Sequence, residues 1–261
     1  MKSLSQKNIL VTGAAGGFGQ QFIKQFLEQG AHLILTDINK EVLEKTSSEI
    51  LRSIPQCKGK IIGVFASDLS TIKGCEDAYK NTIALASQVD VLINNAGLIS
   101  YGYFHETPVD KWETLMNVNL MAPMYLSHHF MNHFVKQGNG HILNISSVSG
   151  FVATSSGAPY STSKFGVRGF GMALHGEAKQ FGINVTNVYP FYSPTPLLTT
   201  ASDGNFKVSK TPNFLYSSPE SIVNSAIKGL RKNKLHVYPG AISKMLYFAI
   251  KFWPIVGNLA K

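Results

Sequence analysis

Six short apolar segments, rich in β-branched residues, alternate with segments of helical length along the first 190 residues. The apolar segments read KNILVTG, HLILTD, KIIGVFASD, VDVLINNAG, GHILNISS and INVTNVYP. Between them, residues 17–29, 40–52, 70–87, 109–136 and 160–180 have helical length and periodicity. Strands as continuously apolar as these are usually buried on both faces. The alternation therefore predicts an α/β fold with a doubly wound parallel sheet, helices on both faces, and a seventh strand at 235–240.

The domain organisation follows from the same pattern. The chain has 261 residues, and no repeat or linker separates a second domain. We expect residues 1–240 to form a single Rossmann-like domain. Residues 191–217 are rich in Ser, Thr and Pro and form the only long irregular segment, so we expect a substrate loop there. Residues 241–261 form an apolar, basic C-terminal tail.

Cysteine content and the apolar segments bear on the cellular compartment. Cys57 and Cys75 are too few for a disulfide framework and have no metal-ligand spacing, so we expect ordinary thiols and no metal site. The N-terminal apolar run is too short for a signal peptide, and no apolar stretch is long enough to cross a bilayer. These features predict a cytoplasmic protein.

The formal net charge of +9 is concentrated near the C-terminus, where residues 221–261 hold seven Lys or Arg and no acidic residue. No run resembles a nucleic-acid-binding arm, so we expect no nucleic-acid partner. In the apolar tail at 242–261, Lys244 and Lys251 share one helical face, and Pro254 should end the helix. Three interpretations stay open: the tail packs on protein, covers a substrate entrance, or makes peripheral contact with a membrane.

A glycine-rich segment, TGAAGGFG at 12–19, connects the first predicted strand to the first predicted helix. Gly13, Gly17 and Gly19 lack Cβ atoms, so the backbone can turn tightly and approach a pyrophosphate, with Phe18 between two of them. The N–H groups that begin the helix then face the anion. The spacing is G-x-x-x-G-x-G rather than the common G-x-G-x-x-G, so the segment indicates a dinucleotide site mainly by its position.

The end of the second predicted strand indicates which dinucleotide binds. Asp37 is placed to accept hydrogen bonds from the adenosine ribose hydroxyls, and its charge would repel a 2′-phosphate. Neither the glycine segment nor Ile38 and Asn39 supply a cation, so we expect NAD, with NADP less favoured. Alternatively, Asp37 caps the helix that begins at Lys40, although Asn39 is available for that role.

Two further strand ends are predicted to line the cofactor site. Asp68 and Leu69 follow the third strand and are placed to line an adenine pocket, although Asp68 can instead cap a helix from Ser70. The fourth strand ends in NNAG, whose small and amide side chains suit a crevice between ligand and sheet, or a simple polar turn. The residues of interest there are Asn95, Ala96 and Gly97.

The segment YSTSK at 160–164 contains a candidate proton-transfer pair. Tyr160 and Lys164 lie four apart and share a helical face. A nearby ammonium favours the phenolate of a tyrosine, whose ordinary pKa is about 10. Tyr247 and Lys251 in YFAIK have the same spacing, so only context can distinguish the two pairs.

Together, the motifs TGAAGGFG, NNAG, NVNL at 117–120, NISS at 144–147 and YSTSK, with Asp37 and Asp68, resemble the single-domain short-chain dehydrogenase/reductase family. The resemblance implies a nicotinamide-dependent oxidoreductase that acts on an alcohol/carbonyl pair, often as a dimer or tetramer. It also implies that Ser147, thirteen residues before Tyr160, and Asn119 are catalytic. Lys234 stands at the corresponding position before Tyr247 and cannot replace the serine.

The resemblance assigns a role to each of these residues. Tyr160 exchanges a proton with the substrate oxygen while hydride moves to or from the nicotinamide. Lys164 favours the phenolate together with the oxidised ring, and it holds the nicotinamide ribose. Ser147 hydrogen-bonds the substrate oxygen. Asn119 orients Lys164 through a water.

The segment YPFYSPTPL at 189–197 departs from the family pattern, because Phe191 stands where a glycine usually follows Pro190. We still expect Pro190 and Thr195 to contact the cofactor. The aromatic residues here, with the apolar residues at 151–153, predict a pocket for a hydrophobic alcohol or ketone. A non-catalytic cofactor-binding sensor or scaffold on the same fold is the alternative.

Overall fold

The computed structural model describes residues 3–194 and 216–252. These residues include a seven-stranded sheet, with all strands parallel, in the order β3-β2-β1-β4-β5-β6-β7. The strands are β1 (Asn8–Thr12), β2 (His32–Asp37), β3 (Lys60–Ala66), β4 (Val91–Asn94), β5 (Gly140–Ile145), β6 (Ile183–Val188) and β7 (His236–Val237). The predicted doubly wound α/β fold is confirmed. The seventh strand is shorter than expected, because a helix begins at Gly240.

Helices connect the strands and cover both faces of the sheet. They are α1 (Gly17–Glu28), α2 (Lys40–Ser53), α3 (Ile72–Leu85), α4 (Val109–Met116), α5 (Ala122–Gln137), α6 (Ala158–Ala178), α7 (Pro219–Arg231) and α8 (Gly240–Phe252). The predicted helix at 109–136 is interrupted, because a π-helical turn at Asn117–Met121 separates α4 from α5. Helix α3 begins at Ile72 rather than Ser70, because the Thr71 side chain accepts the hydrogen bond from the Gly74 N–H at 2.9 Å.

Hydrophobic side chains from the strands form a core on each face of the sheet. Ile9 and Val11 of β1 pack in the cluster beneath α1 and α7, and the intervening Leu10 packs in the cluster beneath α3 and α5. Alternate residues of one strand are therefore buried on opposite faces, which accounts for the continuously apolar strand sequences.

Three buried asparagines cross the sheet at neighbouring positions of β4, β5 and β6. Asn94 pairs in register with Asn144, which pairs with Asn187. The Asn94 Nδ2 donates to Asn144 Oδ1 at 2.9 Å, and the Asn144 Nδ2 donates to Asn187 Oδ1 at 3.1 Å. We call this row the amide ladder. It satisfies four of the buried amide groups, which would otherwise be costly to bury, whereas the Asn94 Oδ1 has no hydrogen-bond partner among the described residues.

The strand order places a crevice at the carboxyl ends of β1 and β4. The chain proceeds from β1 outward to β3 and then returns to β4 on the other side of β1. Connections leave these two strands in opposite directions, and ligands of open α/β sheets bind at such a point.

Within the described part of the chain, no helix is both long and apolar enough to cross a membrane.

Helix α8 packs near the carboxyl end of β6. Leu246, Tyr247 and Ile250 contact a buried cluster formed by Val148, Phe151 and Tyr189. Of the three interpretations of the tail, packing on protein therefore applies to this face of the helix. Thr195, the predicted helix end at Pro254, and most of the predicted loop at 191–217 lie outside the described residues.

Candidate active site

The glycine turn between β1 and α1 packs so closely against neighbouring backbone that side chains would not fit at two of its positions. Gly13 has a φ of +60°, a conformation that favours glycine, and a Cβ added there would lie 2.6 Å from the Ala96 Cα. A Cβ at Gly19 would collide with the carbonyl oxygens of Gly13 and Ala14. Helix α1 begins with Gly16 as its N-cap and has no side-chain cap, and the N–H groups at such a helix start favour an anion.

Asp37 lies beside this turn at the end of β2. Its Oδ2 accepts from the Ala15 N–H at 2.9 Å, and its Oδ1 accepts from the Ile38 N–H at 2.8 Å. The N-cap of α2 is Asn39, whose side chain accepts from the Val42 N–H. The helix-cap interpretation of Asp37 is therefore wrong, and its carboxylate faces the glycine turn.

A cavity of about 610 Å³ extends from the glycine turn to the ends of β2 and β3. Most predicted cofactor residues line it: Gly13, Gly17, Phe18, Asp37, Asp68, Leu69, Asn95, Ala96 and Gly97. None of its described lining residues is Lys or Arg. Asp68 does not cap α3; its carboxylate accepts from the backbone N–H and the hydroxyl of Ser70.

The β4 end of this cavity is held by Thr12, which the sequence pattern did not single out. The Thr12 Oγ1 accepts from the N–H groups of Asn95 and Ala96, each at 3.0 Å, and donates to the Ile93 carbonyl at 3.2 Å. The Asn95 Nδ2 donates to the carbonyl oxygens of Thr12 and Gly13 at 2.9 Å. Asn95 therefore fixes the two strand ends against each other as well as lining the cavity.

Helix α6 carries Tyr160 and Lys164 on the face that meets the end of β5. Both side chains are buried, and the Lys164 Nζ lies 5.7 Å from the Tyr160 ring centroid. The Lys164 Nζ donates to the Ile145 carbonyl at 3.0 Å. Ser147 begins a short 3-10 turn after β5, and its Oγ accepts from the Ser149 N–H at 3.1 Å. The structure brings these three predicted residues together.

Burial is the largest influence on the pKa values of Tyr160 and Lys164. It raises the pKa of Tyr160 to about 12, the neighbouring Tyr192 phenol acts in the same direction, and a hydrogen bond with Ser147 lowers this pKa. Burial also lowers the pKa of Lys164 to about 8. The lowered phenol pKa expected from the lysine is therefore not found in this structure, because removal from water disfavours both charged forms.

Asn119 lies in the π-helical turn, where its side chain bonds the backbone that follows β4. Its Oδ1 accepts from the Leu98 N–H at 2.7 Å, and its Nδ2 donates to the Leu98 carbonyl at 2.9 Å. A Cβ at Gly97 would lie 3.3 Å from the Asn119 Oδ1 and 3.6 Å from the Lys164 Nζ. Because Gly97 has no side chain, the Asn119 Oδ1 and the Lys164 Nζ can both lie close to its Cα.

A second cavity, of about 470 Å³, contains the candidate catalytic groups. Ser147, Tyr160, Lys164 and Pro190 line it, and Phe18, Asn95, Gly97 and Leu98 line both cavities. Its walls are largely apolar, with contributions from Val152, Phe191, Tyr192, Ile242 and Leu246. The sequence pattern did not identify Ile242 and Leu246, which come from α8.

The second tyrosine–lysine pair has a different environment. The Tyr247 ring stacks on Tyr238 with a centroid distance of 4.3 Å, and Phe151 packs edge-on against it at 6.0 Å. Lys251 is exposed, with its Nζ 5.8 Å from the Phe252 ring centroid. Tyr247 is thus a packing residue.

Histidines do not assemble into a metal site in the part of the chain that the structure describes. Across residues 3–194 and 216–252, no group of three or more His, Cys, Asp or Glu side chains is arranged to hold a metal ion.

Known proteins share both the sequence pattern and the fold. Acetoacetyl-CoA reductase of Acinetobacter sp. (strain RA3849) is 32% identical over 202 residues, which cover 77% of this chain and 80% of that protein. Epidermal retinol dehydrogenase 2 of Mus musculus is 28% identical over 253 residues, covering 95% of this chain and 78% of that protein. A short-chain dehydrogenase from Sphingobium yanoikuyae, solved in complex with NADPH, has a TM-score of 0.80 at 22% identity, with 97% of this chain and 95% of that chain covered.

A family model described as short chain dehydrogenase matches residues 7–205. This range includes the glycine turn, the strand ends that line the two cavities, and Tyr160. The chain therefore belongs to the short-chain dehydrogenase family of pyridine-nucleotide oxidoreductases.

Proposed function

We propose that this protein is an NAD-dependent dehydrogenase/reductase that interconverts a hydrophobic alcohol and its ketone, with Tyr160 as general acid/base. One observation carries the proposal. Ser147, Tyr160 and Lys164 meet in a largely apolar cavity that shares four lining residues with the cavity at the glycine turn. A substrate and a dinucleotide bound in the two cavities would touch.

The residues present fit a dinucleotide. Glycines of the turn line the larger cavity without side chains, and the N-terminus of α1 favours a phosphate. Asp37, Asp68 and Leu69 would hold the adenosine end, and Asn95, Lys164 and Pro190 would border the nicotinamide end. When bound, the nicotinamide supplies the hydride acceptor or donor.

The protein's part of the reaction is proton transfer and charge stabilisation. Tyr160 takes the hydroxyl proton of an alcohol, or gives a proton to a ketone oxygen. Ser147 donates a hydrogen bond to the same oxygen as its charge develops. Because the pKa of Lys164 is about 8, this side chain is largely charged at pH 7, with its Nζ 5.7 Å from the Tyr160 ring centroid. Together with the positive charge of an oxidised nicotinamide, it would offset part of the burial that raises the pKa of Tyr160. Asn119 acts as a positioning residue that fixes the backbone beside Lys164.

The substrate class follows from the cavity walls. Val152, Phe191 and Leu246 present apolar surface around the tyrosine, so an alcohol or ketone with an apolar body removes the most surface from water. The murine relative is a retinol dehydrogenase, which is in keeping with such a substrate. The described part of the segment at 191–217 contributes three cavity residues, which supports its role as a substrate loop.

The preference for NAD rests on Asp37. Its carboxylate lines the adenosine end of the cavity, where no described lining residue is a cation that could bind a 2′-phosphate. The Sphingobium relative was solved with NADPH, so the preference needs its own test. We expect D37S/I38R to reverse the ratio of the dissociation constants for NADH and NADPH, measured by cofactor fluorescence. The matched variant D68S should weaken both cofactors alike, and a wild-type preference for NADPH would overturn the assignment.

Catalysis is tested by removing the phenol hydroxyl. Y160F should lower kcat by about 10² to 10⁴, the usual contribution of a positioned acid or base, while NADH binding is retained. The matched control is Y247F, which removes the same atom from the packing cluster and should keep activity. The assay follows NADH absorbance with secondary alcohols and ketones of graded chain length. Bound NADH with no turnover of any of these compounds would favour a cofactor-binding sensor or scaffold instead.

Three expectations stay predictions. They are a single domain over residues 1–240, assembly as a homodimer or homotetramer, and a cytoplasmic location. Light scattering and limited proteolysis test the first two.

A further inference from the structure

Helix α8 has an inner face that the candidate site uses. Ile242 and Leu246 line the substrate cavity, and Tyr247 and Ile250 join the aromatic cluster that backs it. Ser243 on the same side is fully buried. The inner face therefore fixes the helix as a wall of the cavity.

The outer face of α8 is an exposed apolar stripe. Met245, Phe248 and Phe252 are 63%, 54% and 73% exposed, and their spacing of three and four places them on one side of the helix. The Phe248 and Phe252 rings lie parallel, with centroids 6.4 Å apart and an interplanar angle of 8°. A contiguous apolar stripe of this kind marks an interaction surface.

Charge indicates what this stripe contacts. Lys244 and Lys251 lie exposed on the same helix, and residues 221–261 contain seven Lys or Arg without an acidic residue. A second copy of the helix would place lysines against lysines, which is unfavourable. An anionic lipid surface accepts both features, because the aromatic stripe enters the headgroup boundary and the lysines reach the phosphates.

We propose that the outer face of α8 (Met245, Phe248 and Phe252, with Lys244 and Lys251) docks on an anionic lipid bilayer, which places a wall of the substrate cavity at the membrane. Docking itself does not depend on the enzymatic proposal. Its consequence, that a hydrophobic substrate passes between the bilayer and the cavity, rests on the proposed function.

The binding test uses the full chain and vesicles of phosphatidylcholine with about 30% phosphatidylserine, followed by co-sedimentation. We expect the wild type to sediment with these vesicles and not with phosphatidylcholine alone. F248S/F252S should reduce the partition coefficient at least about ten-fold, since burying one Phe side chain alone is worth roughly that factor. K244Q/K251Q should reduce it by about five-fold per lysine, and added salt should weaken wild-type binding.

Matched controls distinguish binding through this face from non-specific adsorption to the vesicles. V42S/I72S removes two similarly exposed apolar side chains from α2 and α3, and K45Q/K58Q removes two exposed lysines elsewhere; both should bind vesicles like the wild type. Circular dichroism shows that each variant is folded. Absence of wild-type binding, or unchanged binding by F248S/F252S, would overturn the proposal.

Light scattering in the absence of lipid tests whether the outer face of α8 instead contacts a second copy of the chain. If F248S/F252S halves the molecular mass of the wild-type species, the stripe is a subunit contact and the lipid proposal is wrong. The activity assay is separate: a wild type that binds vesicles but turns over no alcohol or ketone would refute the enzymatic proposal and leave docking intact.

Discussion

Replacing the buried Lys164 with methionine should stabilise the fold while abolishing the proposed activity. Burial lowers the pKa of Lys164 from an ordinary 10.5 to about 8, which corresponds to about 3 kcal/mol of folding free energy lost in keeping the ammonium out of water. Methionine has a similar length and fits irregular space without a charge. The substitution also removes the hydrogen bond from the ammonium to the Ile145 carbonyl, worth about 2 kcal/mol for a charged donor. The net gain at pH 7 is therefore about 1 kcal/mol.

The sign of the effect depends on pH. Below the folded pKa of about 8, Lys164 is charged in both states, so the burial penalty is fully present in the native protein. As pH rises from about 8 toward 10.5, the native state has already lost the proton and the penalty disappears. The advantage of K164M should thus be greatest at pH 7 and should shrink as the pH approaches 10.

Differential scanning fluorimetry at pH 6.5, 8 and 9.5 measures this prediction. A gain of about 1 kcal/mol corresponds to a rise in Tm of roughly 2–4 °C in a chain of this size. K251M, the same change at the exposed lysine of YFAIK, should leave Tm nearly constant at every pH. Equal gains at pH 6.5 and 9.5, or a lower Tm for K164M at pH 6.5, would refute the reasoning.

Three further substitutions test the backbone of the site, and one of them is a control. G13A should lower the free energy of unfolding by more than the about 1–2 kcal/mol expected for a left-handed residue, because its Cβ would also lie 2.6 Å from the Ala96 Cα. G138A, at a φ of +75° with open space around it, should show the conformational cost alone in urea denaturation. N119A should cost about 1–3 kcal/mol and accelerate hydrogen exchange at the Leu98 amide, because that group loses its partner; unchanged exchange would contradict the positioning role.

The fold was predictable because strand and helix periodicities alternate without interruption. Continuous apolar runs such as NILVT require burial on both faces, and the structure buries Ile9 and Leu10 in separate clusters. The glycine turn and Asp37 were also predictable in position, since they stand where β1 and β2 end.

Features that depend on tertiary contacts were not predictable. The π-helical turn at Asn117–Met121 has no signature in helical periodicity, and the hydrogen bond from the Leu98 N–H to its Asn119 side chain joins residues distant in sequence. Thr12 reads as an ordinary strand residue until its bonds to the end of β4 are seen. The pKa of Tyr160 is raised because the side chain is buried, and the spacing of residues in the sequence does not indicate burial.

The amide ladder has a consequence for how the sheet is assembled during folding. The three asparagines connect only when β4, β5 and β6 pair in the native register. A slip of β5 by one residue would turn Asn144 to the opposite face, break both links and bury amides without partners, at about 1–3 kcal/mol for each group. Purely apolar strands would tolerate such a slip with far less loss. The ladder therefore discriminates against misaligned intermediates and selects the one alignment that brings the β4 and β5 ends together.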